Sequence, residues 1–199
     1  LMPANAEEDL AWLRALASAP GRFKLDALDP WARLDAVADV RDLKSEAAGD
    51  DRRVDLAIQG PRSRKLLMKL ADSAADRLKI RNIGKSQLTT VSLAGQPAHI
   101  ARTGYTGEPM GFELYVHPDW APAVWRAVLA EGATACGLGA RDSLRTEAGF
   151  PLYGHELAGK LGISPAGAGY GAFVKLHKPF FAGRTSYLAR EEQRERGDA

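Results

Sequence analysis

The sequence predicts an α+β fold in which helices pack on an antiparallel sheet, and three observations carry that expectation. Short runs near 53–59, 87–93, 98–103 and 111–116 read as strands bounded by turn residues. The second and third of these are separated by little more than Ala94-Gly95-Gln96, a tight hairpin that makes them antiparallel neighbours. Strands and helices are segregated and hairpin-linked, which favours an α+β sandwich over a doubly wound parallel sheet.

In chain order, residues 9–17 carry Leu10, Trp12, Leu13 and Leu16 at helical spacing, with Pro20 and Gly21 as a stop. From 26 to 51 acidic residues recur (Asp29, Asp35, Asp39, Asp42, Glu46, Asp50 and Asp51), which suits an exposed insertion with helical turns of its own. Residues 53–59 set Val54, Leu56 and Ile58 against polar neighbours and close on Gly60-Pro61. That pattern is a half-buried strand turning into a helix with Pro61 in its first turn. The helix is expected to run to about residue 75, with Leu66, Leu67, Leu70 and Ala74 as its stripe and Arg62, Arg64, Lys65 and Lys69 facing water. Beyond the hairpin and the strand at 111–116, Asp119 is expected to cap a helix bearing Trp120, Val124, Trp125, Val128 and Leu129. Ten of the twenty glycines fall between 132 and 171, where backbone is forced into turns or close approach, around a helix at about 140–148. A loop with Pro179 leads to a last helix from about Arg184.

At 199 residues, 45% hydrophobic and 26% charged, the chain buries a globular core as one large domain or two small ones. Twenty-seven basic residues against twenty-five acidic ones leave a net charge of +2, too little for a nucleic-acid surface. No run approaches the roughly 18 apolar residues of a membrane span. The single cysteine, Cys136, excludes an internal disulfide framework, and no Cys/His cluster offers a zinc site, so a reducing, cytoplasmic setting is expected. Leu1-Met2-Pro3 at one end and the charged stretch 190–198 at the other read as cut ends.

Most of the usual catalytic patterns are missing. His99, His117, His155 and His177 sit in different elements without ligand spacing, so no metal is expected. Cys136 has no nearby base and reads as an inert buried residue. No glycine pattern matches a phosphate-binding loop. Two segments concentrate unusual residues instead. In Arg102-Thr-Gly-Tyr105-Thr-Gly-Glu108, two glycines bracket Tyr105 and Thr106 in a loop built to place side chains, and Gly111-Phe-Glu113 follows. Alternation sets Glu113 opposite Phe112 and Leu114, where it is either solvent-facing or held for a planar donor pair. In Gly137-Leu-Gly-Ala-Arg141-Asp-Ser-Leu-Arg145, the two arginines share a helical face. They form either a surface salt-bridge helix, worth under about 1 kcal/mol per pair, or a clamp for a carboxylate-bearing ligand.

Taken together, these segments, with Ala148-Gly149 and Leu152-Tyr-Gly-His155 after them, resemble the aminomethyltransferase (glycine cleavage system T-protein) family. Ala57-Ile-Gln-Gly-Pro61, residues 165–178, Phe181-Ala-Gly-Arg184 and residues 1–13 extend the resemblance over nearly the whole chain. It implies the central folate-binding lobe of the T-protein fold over residues 1–183, with 26–51 as an acidic insertion, 184–199 as a charged helical tail and the C-terminal barrel domain absent. It further implies tetrahydrofolate as cofactor and lipoylated H-protein as partner, the aminomethyl group passing to the folate with release of ammonia. Neither a nucleic acid nor a membrane is expected.

Residue by residue, Glu113 matches the carboxylate that takes the pterin's amino and ring N–H donors. Arg141 matches an arginine that helps hold the folate, and Tyr105 is placed to stack on the pterin. Glu108 belongs to the same set, but Glu-Pro-Met-Gly-Phe-Glu is one residue longer than the commoner Glu-Asp-Gly-Phe-Glu. The family's catalytic aspartate would precede Leu1, so no catalytic residue is assigned within the chain. Two other readings keep the folate site: a demethylase of a small methyl donor, and a non-catalytic folate-binding fragment.

Overall fold

Alternation builds the sheet. The computed structural model describes residues 6–18, 38–157, 163–179, 181 and 183–197. The strands β1 (Val54–Gln59), β2 (Leu88–Leu93), β3 (Gln96–Ala101) and β4 (Gly111–Val116) form one sheet in the order β1-β4-β3-β2, every neighbouring pair antiparallel. The helices are α1 (Ala6–Ser18), α2 (Ser63–Leu70), α3 (Ala74–Asn82), α4 (Ala121–Ala130), α5 (Leu138–Glu147) and α6 (Arg184–Arg196). The class is α+β, as the sequence predicts.

The chain divides into two compact units, one of Asp42–Phe150 and one of Leu1–Arg41 with Pro151–Ala199. The first holds the whole sheet. Ile58, Phe112, Leu114, Val116, Ile100, Val91 and Leu93 share one face and are buried with Leu66 and Leu67 of α2, Ile80 of α3 and Val124 and Val128 of α4. Full burial of side chains such as Phe112 and Leu114 stabilises by about 2 kcal/mol each. The other face of β1 and β4 carries Asp55, Ala57 and Gln59 opposite Tyr115, Glu113 and Gly111. Because β1 is an edge strand, that polar face opens along one side of the sheet.

The helix expected to reach residue 75 is instead two. It stops at Leu70 because Ala71 bridges Leu93 and the Asp72 carboxylate accepts hydrogen bonds from the Gly95 N–H and the Ser92 hydroxyl, holding the hairpin. Ser73 then starts α3, its Oγ accepting from the Asp76 N–H at 3.0 Å. The signal was a Ser-x-x-Asp cap, which an apolar stripe read straight through. Pro61 lies in the turn before α2 rather than in its first turn. Arg64 does not face water alone: it donates to the carbonyls of Arg81 and Ile83 and lies 6.0 Å from the Phe112 ring, tying α2 to the end of α3. Nor does Asp119 cap α4; its N–H and carboxylate turn to His117, and Pro122 in the first turn removes a donor that would need a cap.

In the second unit, α1 covers the helix expected at 9–17, and α6 begins at Arg184 as expected. The buried Ser164 hydroxyl donates to Glu191 of α6 and accepts from the Gly167 N–H. Residues 1–5, the stop at Pro20-Gly21 and residues 19–37, which hold much of the acidic insertion, lie outside the described residues. The described end of that insertion forms a 3-10 helix, Glu46–Asp51, capped by Ser45. No helix among the described residues is long and apolar enough to cross a membrane.

The hairpin turn sets Ala94 at φ 51° and Gly95 at φ 77°, both in the left-handed region that a two-residue turn of this hand demands. Ala94 bears a Cβ there at a cost of roughly 1 kcal/mol. Ala94→Gly is therefore expected to raise the unfolding free energy by about 0.5–1 kcal/mol, read from urea titrations of the two proteins.

Candidate functional site

The site begins where β1 ends. The Gln59 amide donates to the carbonyls of Thr103 and Phe112, each at 3.3 Å, and its oxygen accepts from the Thr106 hydroxyl at 3.0 Å. It lies so close to the loop backbone that a Cβ on Gly104 would fall 2.0 Å from the Gln59 oxygen, and one on Gly111 2.3 Å from it. One side chain thus ties the edge strand, the glycine-bracketed loop and the start of β4 together. Gly60, at φ 116°, turns the chain away, and its N–H donates to the Met110 carbonyl at the other end of the loop.

The same loop is pressed against the end of α5. Gly107 stands at φ 81° where an added Cβ would lie 2.5 Å from the Ala148 Cβ, and the Tyr105 and Phe150 rings are 5.2 Å apart. Two segments more than thirty residues apart in sequence therefore meet, and a cleft of about 770 Å³ runs along β1 beside them. That volume is ordinary for a small-molecule site. Tyr105, Glu108, Glu113 and Arg141 all line it, so the structure brings together the four residues singled out in the sequence.

Glu113 is half-buried, and the Thr103 hydroxyl donates to its Oε2. The Tyr115 phenol is also hydrogen-bonded to Glu113; burial, reinforced by the charges of Glu113 and Asp55, pushes it up to about 12. Alternation left Glu113 open between solvent and a held acceptor. The neighbouring hydroxyls make it a held acceptor at the wall of the cleft.

Asp55, which the sequence reading passed over, and Gln59, which entered it only as part of the Gln-Gly-Pro motif, also line the cleft. Asp55 lines the cleft with its Oδ1 buried and without a hydrogen-bond partner. Burial first and the Glu113 charge second push its carboxyl up to about 6, against the pull of Arg141 and Lys44. No sequence signal marked it, because its place beside Glu113 depends on the pairing of Ala57 with Glu113. As a polar residue on an alternating strand it reads as solvent-facing until the pairing is known.

The two arginines of α5 do not form a stripe. Arg141 is exposed and lines the cleft. Arg145 is buried, 4% exposed, with its guanidinium on Asp142 at 2.6 Å and on the Phe150 carbonyl at 3.1 Å. It closes the helix end on which Tyr105 rests, so the shared clamp is corrected to one cleft-lining arginine and one structural one. Cys136 is corrected too. It is exposed and lines the cleft, because the segment that carries the chain from α4 to α5 has little apolar surface to fold over it. Among the described residues no group of three His, Cys, Asp or Glu side chains could hold a metal.

Residues 3–178 match the family model described as the GCVT N-terminal domain. A Thermus thermophilus protein named aminomethyltransferase is 39% identical over 186 residues, covering 94% of this chain and 44% of its own length. Moorella thermoacetica has one that is 38% identical over 192 residues, with the same coverage. A third, from Geobacillus kaustophilus, is 37% identical over 195 residues, covering 95% of this chain and 45% of its own. The chain thus spans less than half the length of these curated relatives.

Two measurements check the site's construction. Gly111→Ala displaces the Gln59 amide from its three hydrogen bonds and is expected to cost about 2–3 kcal/mol. In a Gln59→Ala background the same change is expected to cost under about 1 kcal/mol, a coupling read from a double-mutant cycle. A carboxyl whose pKa is raised by folding favours the folded state most while protonated. Asp55 therefore contributes stability at low pH that is lost as pH rises from about 4 to about 6. Stability curves of Asp55→Asn and the parent chain are expected to differ in slope across that window and run parallel above it.

Proposed function

The chain belongs to the family of the GCVT N-terminal domain, and from that premise we propose that it forms the folate-holding part of an aminomethyltransferase. The observation that carries the reading is Glu113. It is a carboxylate held by the Thr103 hydroxyl on the open face of the sheet, beside Tyr105, Glu108 and Arg141 in one cleft of suitable volume. A pterin presents an amino group and a ring N–H side by side, and a carboxylate is the acceptor that matches two parallel donors. Tyr105, braced on Phe150, offers a flat surface for the heterocycle. Arg141, exposed at the cleft, suits an anionic group on the rest of the molecule, and Glu108 contributes a second acceptor.

Tetrahydrofolate, when bound, supplies the nitrogens that accept the one-carbon unit. The chain's own contribution is orientation: Glu113 sets the direction of the ring, Tyr105 its plane, and Gln59 the loop that carries Tyr105. The whole protein's activity belongs to this proposal: transfer of the aminomethyl group from lipoylated H-protein to tetrahydrofolate with release of ammonia, in the cytoplasm. Relatives named aminomethyltransferase support that donor over a small methyl compound.

Calorimetric titration of the chain with 5-formyltetrahydrofolate tests the site. Glu113→Ala removes charge-assisted hydrogen bonds of roughly 1.5–3 kcal/mol each and is expected to weaken binding at least tenfold. Equal affinity in the parent chain and the variant would remove Glu113 from the site. Ammonia released from aminomethylated H-protein, compared with methyl transfer from small methyl donors to tetrahydrofolate, tests the choice of donor.

A further inference from the structure

We propose that Asp55 is a specificity-determining residue of the cleft that meets its ligand as a neutral carboxylic acid and donates that proton in a hydrogen bond to a ring-carbonyl acceptor. The proposal rests on the folate reading of the same site. Its ground is the arrangement of the two carboxyl groups. Asp55 and Glu113 lie on one face of the β1–β4 ladder, one register step apart, since Asp55 pairs with Tyr115 and Ala57 with Glu113. Diagonal positions of this kind lie within reach of long side chains. Two ionised carboxylates so placed repel each other, and Asp55 is the one whose oxygen is closed off without a donor. Burying an unpaired oxygen costs far less in a neutral acid than in a carboxylate. Oδ1 is closed off while the residue lines the cleft, and the proposed proton is placed on Oδ2.

Among the described residues, the charged or titratable groups that act on Asp55 are Glu113 and Tyr115 from β4, Arg141 from α5, and Lys44 from the segment before β1. Burial and Glu113 outweigh the two cations, and the carboxyl is pushed up to about 6. The division of labour suits a 2-amino-4-oxo ring edge, whose three groups run donor, donor, acceptor. Glu113 accepts from the two donors, and the Asp55 acid supplies the one donor that the carbonyl needs. Two carboxylates would leave that carbonyl facing a lone pair. A carboxyl that must be protonated to bind takes up one proton from solvent with the ligand at neutral pH.

The test is calorimetric titration of the 199-residue chain with 5-formyltetrahydrofolate between pH 5.5 and 7.5. Affinity is expected to fall as pH rises through 6, approaching tenfold per unit at the upper end. That slope is expected to vanish in Asp55→Asn, whose amide donates without titrating. A flat profile in the parent chain, or the same slope in Asp55→Asn, overturns the proposal. The folate reading fails differently, by giving no heat at any pH. The acid is then read in the ligand-free chain from the carboxyl ¹³C resonance of Asp55. A midpoint near 6 that moves down in Glu113→Gln supports the protonated donor, and a midpoint in the ordinary aspartate range near 4 overturns it.

Discussion

Gln59 closes the edge strand with its amide laid against the backbone of Gly104 and Gly111, at a distance no larger residue would permit at either position. The loop and strand residues that line the cleft are placed from this contact. It fixes where the loop leaves β3 and where β4 begins, and therefore which β4 residues face Asp55 and Ala57 across the ladder. The Thr106 hydroxyl on the Gln59 oxygen holds the loop's middle, so that Tyr105 reaches Phe150 and Gly107 reaches Ala148. A strand register slip of one residue would send Glu113 to the core and Phe112 to water, which the burial of Phe112 and Leu114 strongly opposes.

The core and the site are thus opposite faces of the same two strands. On the core side, burial supplies stability. On the other, the sheet sets the Asp55 and Glu113 carboxyls close together and half-buried, which works against folding, while the neutral Tyr115 phenol is hydrogen-bonded to Glu113. Rigidity from the core face is what holds these groups in place at that cost. Such an arrangement suits the proposed ligand, which brings its own donors to the carboxyls.

In α5 one motif divides between an arginine at the cleft and an arginine that shapes the fold. Arg141 and Arg145 are one turn apart, yet the first stays exposed at the cleft and the second is buried on Asp142 and the Phe150 carbonyl. Burial of Arg145 shapes the helix end that supports Tyr105, so the loop motif and the helix motif depend on each other for their geometry.

Local chemistry was legible wherever one segment carried its own signal. Alternation at Val54, Leu56 and Ile58, the Ala94-Gly95 turn and the helical spacing through Val124 and Val128 led to the right elements, because each depends on residues close in the chain. The end of α2 was misjudged because a distant partner decides it, Asp72 being drawn to the hairpin, whereas at the start of α4 a local contact of Asp119 with His117 takes the place of the cap. The side chains of the cleft follow the same division. The sequence by itself determined the class of the fold, the two motif-bearing segments and the identity of Glu113, Arg141, Tyr105 and Glu108 as residues of interest. Only the tertiary structure decided that Arg145 is buried, that Cys136 is exposed and that Asp55 stands beside Glu113. Strand pairing brings Asp55 beside Glu113 across a long stretch of chain, and no local pattern encodes which residue lies opposite which.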